Sequence, residues 1–283
     1  MSRLFEALQR SESERSGVDL AEPGTNAAEL LQAAERSRIE LEDFPEVPAI
    51  ASKESRLVCI TEKESLAAEK FRYLAVRLRQ IQQEKGLQKI IVTSTLPEEG
   101  KSLVSANLAI TLARRKWQKV LLMDGDLRRP VIAERFGLGV LPGITEWVQG
   151  ERTQLENIYR IKDSSLWVFP AGLPPENPLE VIQSRKLEAA LEDLSHKFDW
   201  IVIDCPPALP LADTSVWMRT ADGALLVIRE GKSQKRQIKN GLEALDRSKL
   251  LGVVLNSSSN TEHQKYYQRY YRVQSINPDS KEE

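Results

Sequence analysis

Residues 90–102 of this 283-residue chain have the sequence IIVTSTLPEEGKS, and this stretch decides the fold. The first part, IIVTS at 90–94, is a short apolar run that is typical of a buried strand. The last three residues, Gly100-Lys101-Ser102, open a stretch of helical character near 101–116. A Gly-Lys-Ser between strand and helix predicts a phosphate-binding loop (P-loop), because backbone N–H groups and the helix N-terminus hold phosphate oxygens there.

The loop supplies the residues that we expect around a nucleotide. Lys101 is expected to neutralise the β- and γ-phosphates, and the Ser102 hydroxyl to ligate Mg²⁺. Thr95 stands where the P-loop pattern has its first glycine, and Glu98 and Glu99 suit a phosphate site only if their carboxylates point outward. The alternative interpretation is an ordinary turn with a helix-capping serine. The predicted nucleotide contacts are Thr95, Leu96, Pro97, Glu98, Glu99, Gly100, Lys101, Ser102 and Leu103.

Carboxylates follow two further apolar runs, VLLMD at 120–124 and WIVID at 200–204. Ligands of a parallel sheet bind at the carboxyl ends of its strands, so Asp124, Asp126 and Asp204 are expected beside the P-loop. Three carboxylates there suit Mg²⁺ and phosphoryl transfer. The alternative, that acidic residues merely end strands, explains any one of them but explains the set poorly.

These patterns predict separate roles for the site residues. The predicted catalytic residues are Lys101, Asp124, Asp126 and Asp204, and the predicted metal ligands are Ser102, Asp204 and Asp124. Arg128 either pairs with Asp126 or contacts phosphate, and Asn256, at the end of the last apolar run, is expected to contact the adenine edge. Asp124 or Asp126 would accept or orient the proton of the attacking group.

Apolar runs and helical stretches alternate along the rest of the chain. Near-continuous apolar strands separated by helices predict an α/β fold with a doubly wound, mostly parallel sheet flanked by helices. The predicted strands lie at 90–94, 120–124, 166–170, 200–204, 224–228 and 252–256, and the predicted helices near 101–116, 178–195, 213–220 and 233–247.

A further helix is predicted over 62–85. Thr61 and Glu64 have the spacing of a capping box, and Gly86 is a natural stop. Apolar residues recur along one face at helical spacing. They are Ala67, Phe71, Leu74, Leu78 and Ile81.

The composition excludes several classes of protein. The chain is 41% apolar and 29% charged, with a net charge of −1, which favours a soluble globular protein and gives no overall nucleic-acid signature. No apolar run reaches the roughly 18 residues of a membrane span, and the first 15 residues lack the apolar core of a secretory signal. Two cysteines and two histidines argue against a disulfide framework and a His-rich metal centre.

The charge is unevenly distributed. Residues 1–55 carry a net charge of −6, so the remainder carries +5. This first segment has no convincing strand, and its polarity favours a flexible acidic arm, although a docking arm for a partner is the alternative. Short helical patches are expected near 4–8 and 30–34. We therefore predict an arm over 1–55, a P-loop domain over 56–260 and a tyrosine-containing tail over 261–283.

Five longer segments carry a family resemblance. The chain resembles the bacterial tyrosine kinases (BY-kinases), the deviant P-loop autokinases of capsule and exopolysaccharide export, from about residue 57 to 271. The matching segments are VTSTLPEEGKSLVSANLAITLAR at 92–114, VLLMDGDLRRPVIAERFGL at 120–138, LPGITEWVQGE at 141–151, PAGLPPENPLEVIQS at 170–184 and FDWIVIDCPPALPLAD at 198–213.

The resemblance implies a protein-tyrosine autokinase with Min/Par-like architecture, using ATP and Mg²⁺ bound between subunits. It implies a homo-oligomer through the 62–85 helix, where Glu69 and Arg72 match the family's Glu-x-x-Arg-x-x-Arg and Ala75 replaces its second arginine. It also implies a cytoplasmic enzyme that regulates polysaccharide synthesis. A polysaccharide co-polymerase on a separate chain would recruit this enzyme to the membrane, and no nucleic-acid partner is expected. The implied autophosphorylation sites are Tyr266, Tyr267, Tyr270 and Tyr271.

Two alternatives remain open from the sequence. The first is a Min/Par-type ATPase switch, although that family carries a lysine where this chain has Leu96. The second is a nucleotide-binding scaffold without kinase activity, favoured by Glu98, by Ala75 and by the short tyrosine cluster.

Overall fold

The computed structural model describes residues 41–151, 155–209 and 212–257. These residues build one eight-stranded sheet in the order β1-β4-β5-β3-β6-β2-β7-β8, in which only the β4–β5 pair is antiparallel. The predicted α/β fold with a mostly parallel sheet is confirmed. The strands are β1 (Glu46–Val47), β2 (Lys89–Ser94), β3 (Val120–Asp124), β4 (Tyr159–Ile161), β5 (Leu166–Phe169), β6 (Trp200–Asp204), β7 (Gly223–Arg229) and β8 (Leu250–Asn256).

Helices flank the sheet, and their bounds agree broadly with the apolar periodicity. The helix predicted over 178–195 is two helices, because the chain turns at Gln183 and a second helix starts after the cap Ser184. The helices are α1 (Val58–Thr61), α2 (Leu66–Lys85), α3 (Lys101–Ala113), α4 (Ile132–Arg135), α5 (Ile144–Gln149), α6 (Pro178–Ile182), α7 (Arg185–Ser195), α8 (Asp213–Thr220) and α9 (Lys235–Glu243). None of them is both long and apolar enough to cross a membrane within the described ranges.

The centre of the fold is α3, the helix that follows the P-loop. All its residues except Leu103 are buried, and it packs between α2 and the central strands. Strands β3 and β6 are buried at every residue, as expected for parallel strands covered on both faces. The P-loop, at the start of α3, is therefore anchored in the buried core.

Helix α2 begins later than the sequence predicts. Ser65, not Thr61, is the N-cap, because its side chain accepts the N–H of Ala68, whereas the Thr61 hydroxyl donates to the Leu57 carbonyl within α1. The predicted stop is confirmed, since Gly86 adopts a left-handed conformation with φ of 68°. The buried face also differs from the predicted one: Ala68 and Ala75 are buried, whereas Ala67 is exposed.

The described part of the segment before residue 56 contains a strand that the sequence pattern did not indicate. Residues Glu46–Val47 form β1, which pairs in parallel with β4. Two residues are too short for an apolar alternation to be recognisable. The 1–40 part of the predicted arm and the 261–283 tail lie outside the described residues, as do the expected helical patches.

Candidate active site

The P-loop connects β2 to α3 at the carboxyl edge of the sheet. Gly100 has φ of 97°, a left-handed conformation that favours glycine. A Cβ at this position would collide with the Asn256 amide, whose Nδ2 donates to the carbonyl of Glu99 at 2.9 Å. The end of β8 is thus fastened to the backbone of the P-loop. The predicted contact of Asn256 with the adenine edge stays a prediction.

Lys101 lies at the centre of the site. Its Nζ is 2.7 Å from Oδ2 of Asp126 and 3.6 Å from Oδ2 of Asp204, and it donates to the Ser102 hydroxyl at 3.2 Å. Burial lowers the pKa of the Lys101 ammonium, but the Asp204 and Asp126 carboxylates outweigh that effect and raise its pKa above 10.5. From its place on a loop, Lys101 is expected to be exposed. This expectation is wrong, because α3 and these carboxylates enclose the residue and leave 8% of it accessible.

Asp204 is fixed by a serine that the sequence analysis did not single out. Ser105, one turn into α3, donates its hydroxyl to Oδ1 of Asp204 at 3.0 Å. Both residues are fully buried. Burial raises the pKa of the Asp204 carboxyl, against the opposing effect of Lys101. The helical spacing from Lys101 to Ser105 was the available signal, since residues four apart share a face.

Asp124 is held at the end of β3 by backbone donors. Its Oδ2 accepts the N–H groups of Val131 and Ile132, each at 2.9 Å, whereas Oδ1 is buried without a hydrogen-bond partner among the described residues. Burial, reinforced by the charge of Asp204, raises the pKa of the Asp124 carboxyl to about 7. Asp124 therefore exchanges a proton near neutral pH.

The loop after β3 is clamped by α8. Arg128 does not pair with Asp126; its guanidinium instead bonds both carboxylate oxygens of the buried Asp213, at 2.7 and 3.1 Å. One turn later, Trp217 donates its indole N–H to the Gly125 carbonyl at 3.0 Å. Residues on one face of α8 thus hold the Asp-Gly-Asp-Leu-Arg loop at two points.

The two glutamates of the P-loop have different roles. Glu98 is exposed, has φ of 64° and forms an ion pair with Lys232 at 2.7 Å. Glu99 is fully buried and points inward, where its carboxylate accepts the N–H of Leu96 at 2.7 Å and the Ser233 hydroxyl. Only the Glu98 carboxylate therefore points outward, as a phosphate site requires, whereas the Glu99 carboxylate points inward and stabilises the loop.

The remaining predicted nucleotide contacts are divided between surface and interior. Pro97 is exposed and Leu96 and Leu103 are partly accessible. Thr95 is fully buried beneath α9, where a side chain on Gly241 would meet the Thr95 hydroxyl. The structure therefore brings the predicted residues to one edge, although Thr95 faces the interior. The four tail tyrosines lie outside the described residues.

The donor set fits a magnesium ion that also binds phosphate. Oδ1 of Asp124 and Oδ2 of Asp204 are buried oxygens without hydrogen-bond partners among the described residues, and the Ser102 hydroxyl lies beside Lys101. Within the described ranges, no three His, Cys, Asp or Glu side chains form a metal cage by themselves. Mg²⁺ ordinarily takes one or two carboxylates together with substrate phosphates, which matches this arrangement.

Comparison with known proteins gives a consistent picture. Residues 90–279 match the family described as the CobQ/CobB/MinD/ParA nucleotide binding domain. The chain is 32% identical over 212 residues to the tyrosine-protein kinase YwqD of Bacillus subtilis, covering 74% of this chain and 89% of YwqD.

Two solved structures are similar to this chain over more than half of its length. The chimerical protein CapA2B2 superposes with a TM-score of 0.67 at 28% identity, covering 76% of this chain and 95% of that one. The septum site-determining protein MinD of Pyrococcus horikoshii, solved with Mg-ADP, has a TM-score of 0.50 at 27% identity, covering 62% of this chain and 72% of MinD. A nucleotide-binding P-loop fold follows for this chain.

Proposed function

The chain belongs to the bacterial tyrosine kinases of the CobQ/CobB/MinD/ParA nucleotide-binding family, and from this membership we propose that it transfers the γ-phosphoryl group of ATP to tyrosine, first on its own chain. The observation that carries the proposal is the position of Lys101 between Asp126 and Asp204 at the first turn of α3. This arrangement joins a phosphate-binding cation to the carboxylates of two neighbouring strands. The family membership favours a kinase over the ATPase switch and the scaffold.

The chain's contribution to phosphate binding is positioning and charge neutralisation. The backbone N–H groups of the loop and the N-terminus of α3 face the phosphates, and Lys101 supplies a positive charge. Gly100 has no side chain to obstruct the approach of the phosphates, and Asn256 holds the loop in place. Little covalent chemistry is required of the protein in phosphoryl transfer.

Ser102 and Asp204 would hold Mg²⁺ directly or through water, and Oδ1 of Asp124 is a third oxygen available to it. When bound, Mg²⁺ neutralises charge that develops on the phosphate oxygens. Ser105 keeps the Asp204 carboxylate in one orientation by donating to Oδ1, so that Oδ2 faces Lys101.

Asp124 and Asp126 are the candidates for accepting the tyrosine proton. Where Mg²⁺ does not take its Oδ1, Asp124 is the better base, because its pKa of about 7 in the metal-free site suits proton transfer at neutral pH. Asp126 is already engaged on both oxygens, with Lys101 at Oδ2 and the N–H of Arg129 at Oδ1. A pH profile of each Asp→Asn variant separates the two roles.

The proposed acceptors are Tyr266, Tyr267, Tyr270 and Tyr271. Nine residues lie between Asn256, at the end of β8, and Tyr266, and these ten residue steps span up to about 33 Å when extended. This length is sufficient to enter the site of a neighbouring subunit. Each phosphate adds about −1.5 to −2 charges, so a phosphorylated tail would be repelled by Glu98 and by the other phosphates, and would leave the site.

The chain is proposed to form a homo-oligomer through α2. Its proposed activator is a membrane polysaccharide co-polymerase, which would recruit this cytoplasmic chain to the membrane and couple it to polysaccharide synthesis. The support is the family resemblance, with Glu69 and Arg72 paired on the surface of α2. Ala75 is fully buried against the core, so the position of the family's second arginine faces inward here. An arm and a tail beyond 260 complete the proposed domain organisation, with residues 46–47 of the predicted 1–55 arm joined to the sheet as β1.

Incubation of the full chain with γ-labelled ATP and Mg²⁺ tests the proposal. Label on tyrosine supports the kinase, free phosphate without protein label supports the partition-type ATPase, and bound nucleotide with neither product supports the scaffold. Lys101→Met is the inactive reference. Lys239→Met, an exposed lysine of α9, is the matched control and should retain full labelling.

A further inference from the structure

We propose that the loop between α3 and β3, residues 114–119, is a peripheral binding surface for anionic phospholipid. We call residues 114–119 the basic loop; its sequence is RRKWQK, with four basic residues and no acidic one. Every residue of it except Gln118 is exposed. Clustered Lys and Arg on a surface are attracted to the negative potential of anionic leaflets.

Trp117 gives the basic loop an apolar contact surface. Its exposure of 68% contrasts with the chain's other four tryptophans, all of which are buried. The Arg115 guanidinium lies 5.5 Å from the centre of the Trp117 ring and covers part of it, so a cation and an indole are presented together. Tryptophan favours the boundary between lipid and water, where its ring is apolar and its N–H stays hydrated.

The basic loop is held in place by its neighbours. The Gln118 N–H donates to the Arg115 carbonyl at 2.8 Å, which closes a turn around Trp117. The Ser165 hydroxyl donates to the carbonyl of Lys116 at 2.9 Å. A turn fixed in this way loses little conformational freedom when it binds a surface.

The charges of the basic loop are available to a partner. Among the residues that the structure describes, no carboxylate lies within ion-pair distance of its four basic side chains. Asp199 is the acidic residue in contact with the loop, and its carboxylate accepts the backbone N–H of Lys119 at 2.7 Å. Arg114 also donates to the Cys59 carbonyl at 2.8 Å. The loop therefore keeps a positive surface on a chain whose net charge is −1.

The position of the basic loop leaves the catalytic edge open. The loop precedes Val120 at the amino end of β3, whereas Asp124 lies at the carboxyl end of the same strand. Four steps along a strand correspond to about 13 Å, and the two ends face opposite edges of the sheet. A lipid surface on the basic loop would hold the P-loop and Asp204 on the far side.

Single-stranded nucleic acid is the less favoured partner. Proteins that bind it combine a basic groove with several aromatic side chains on which successive bases stack. The basic loop has one tryptophan, and Arg115 covers part of that ring. A compact loop with one indole and flanking cations is better suited to a lipid–water interface.

The experiment measures partitioning of the full chain onto vesicles. Phosphatidylcholine vesicles are compared with vesicles containing phosphatidylglycerol, by sedimentation and by tryptophan emission. The chain is expected to bind only the vesicles that contain the anionic lipid, and this binding should weaken as the salt concentration rises. Binding should shift the tryptophan emission to the blue, and brominated lipid should quench that emission. Trp117 is the sole exposed tryptophan of the chain, and all five tryptophans are described, so the spectral change reports this loop.

Two variants test the residues themselves. The triple variant Arg115→Gln/Lys116→Gln/Lys119→Gln should bind about 100-fold more weakly, because each basic residue contributes about five-fold. Trp117→Ala should lose the blue shift. The matched control Lys235→Gln/Arg236→Gln/Lys239→Gln removes three exposed charges of α9 and should bind normally. Nucleotide binding should be unchanged in both triple variants.

Several results would overturn the proposal. Equal partitioning onto both vesicle types, or equal loss in the control variant, would exclude a specific role for the basic loop. Binding to heparin without any quenching by brominated lipid would identify a soluble polyanion as the partner. These readouts are independent of kinase activity.

Discussion

The hydroxyl of Ser105 donates to Oδ1 of Asp204 at 3.0 Å in the interior of the protein. The bond joins the helix after the P-loop to the end of β6. Because Oδ2 of Asp204 then faces Lys101 at 3.6 Å, the serine fixes which oxygen of the carboxylate is turned towards Lys101.

Ser105→Ala should reduce autophosphorylation about 10- to 100-fold, the effect of losing a hydrogen bond to a charged group. The Mg²⁺ concentration for half-maximal activity should rise, because the Asp204 carboxylate is no longer held. Thr111→Val is the matched control, since its buried hydroxyl lies on the same helix and bonds Asn107 and Cys59. Asp204→Asn should reduce the rate of autophosphorylation by several orders of magnitude. The same Mg²⁺ dependence in Ser105→Ala and in the parent protein would exclude a positioning role for Ser105.

Lys101→Met should abolish autophosphorylation and also lower stability. Removing the ammonium leaves the buried carboxylates of Asp126 and Asp204 facing each other without a cation, which costs about 3 kcal/mol at pH 8. Adding Asp126→Asn should recover much of the stability while activity stays absent. Urea unfolding measures the first effect and labelled ATP the second; a fully active Lys101→Met protein would refute the P-loop assignment.

Asp124→Asn should change the pH dependence of stability. The folded protein holds the Asp124 proton with a pKa of about 7, against 3.8 as the ordinary value, so the free energy of unfolding falls as pH rises between these values. The loss is on the order of 2–4 kcal/mol. Urea titrations of the metal-free protein at pH 5 and pH 8 should reveal this slope in the parent and a smaller one in Asp124→Asn; identical slopes would contradict the buried, protonated carboxyl.

Glu98→Gly should increase affinity for ATP without loss of stability. Glycine adopts the φ of 64° without strain, and the substitution removes a negative charge beside the phosphates. Glu98→Gln separates the two effects, because it removes the charge and the Lys232 ion pair but keeps the backbone strain. Calorimetric titration with a non-hydrolysable ATP analogue measures the affinity of each variant. Weaker binding by both variants would contradict the prediction and would mean that the Glu98–Lys232 ion pair supports the nucleotide-binding conformation of the P-loop.

Much of the central architecture follows from local patterns. Strands β3 and β6 are continuous apolar runs followed by aspartate, so their bounds and their carboxyl-end acids are visible in the sequence. The P-loop is marked by Gly100-Lys101-Ser102. The family resemblance drawn from these segments is confirmed by the 32% identity to the tyrosine-protein kinase YwqD over 212 residues.

The rest depends on contacts between distant residues. The pair Arg128–Asp213 joins positions far apart in sequence, and no local pattern indicates it. Burial of Lys101 arises from two strands and a helix that converge only in the folded protein. Strand β4, with three residues, is too short to show a period.

Phosphopeptide mapping of the full chain after incubation with ATP and Mg²⁺ is the most direct test of tyrosine autophosphorylation at this P-loop. Phosphate should appear mainly on Tyr266, Tyr267, Tyr270 and Tyr271, and should be absent from Lys101→Met. Replacement of all four by Phe should remove most of the incorporated phosphate while ATP binding is retained. Phosphate found mainly on Tyr73 or Tyr159, or an unphosphorylated tail in a protein that hydrolyses ATP, would contradict autophosphorylation of the tail.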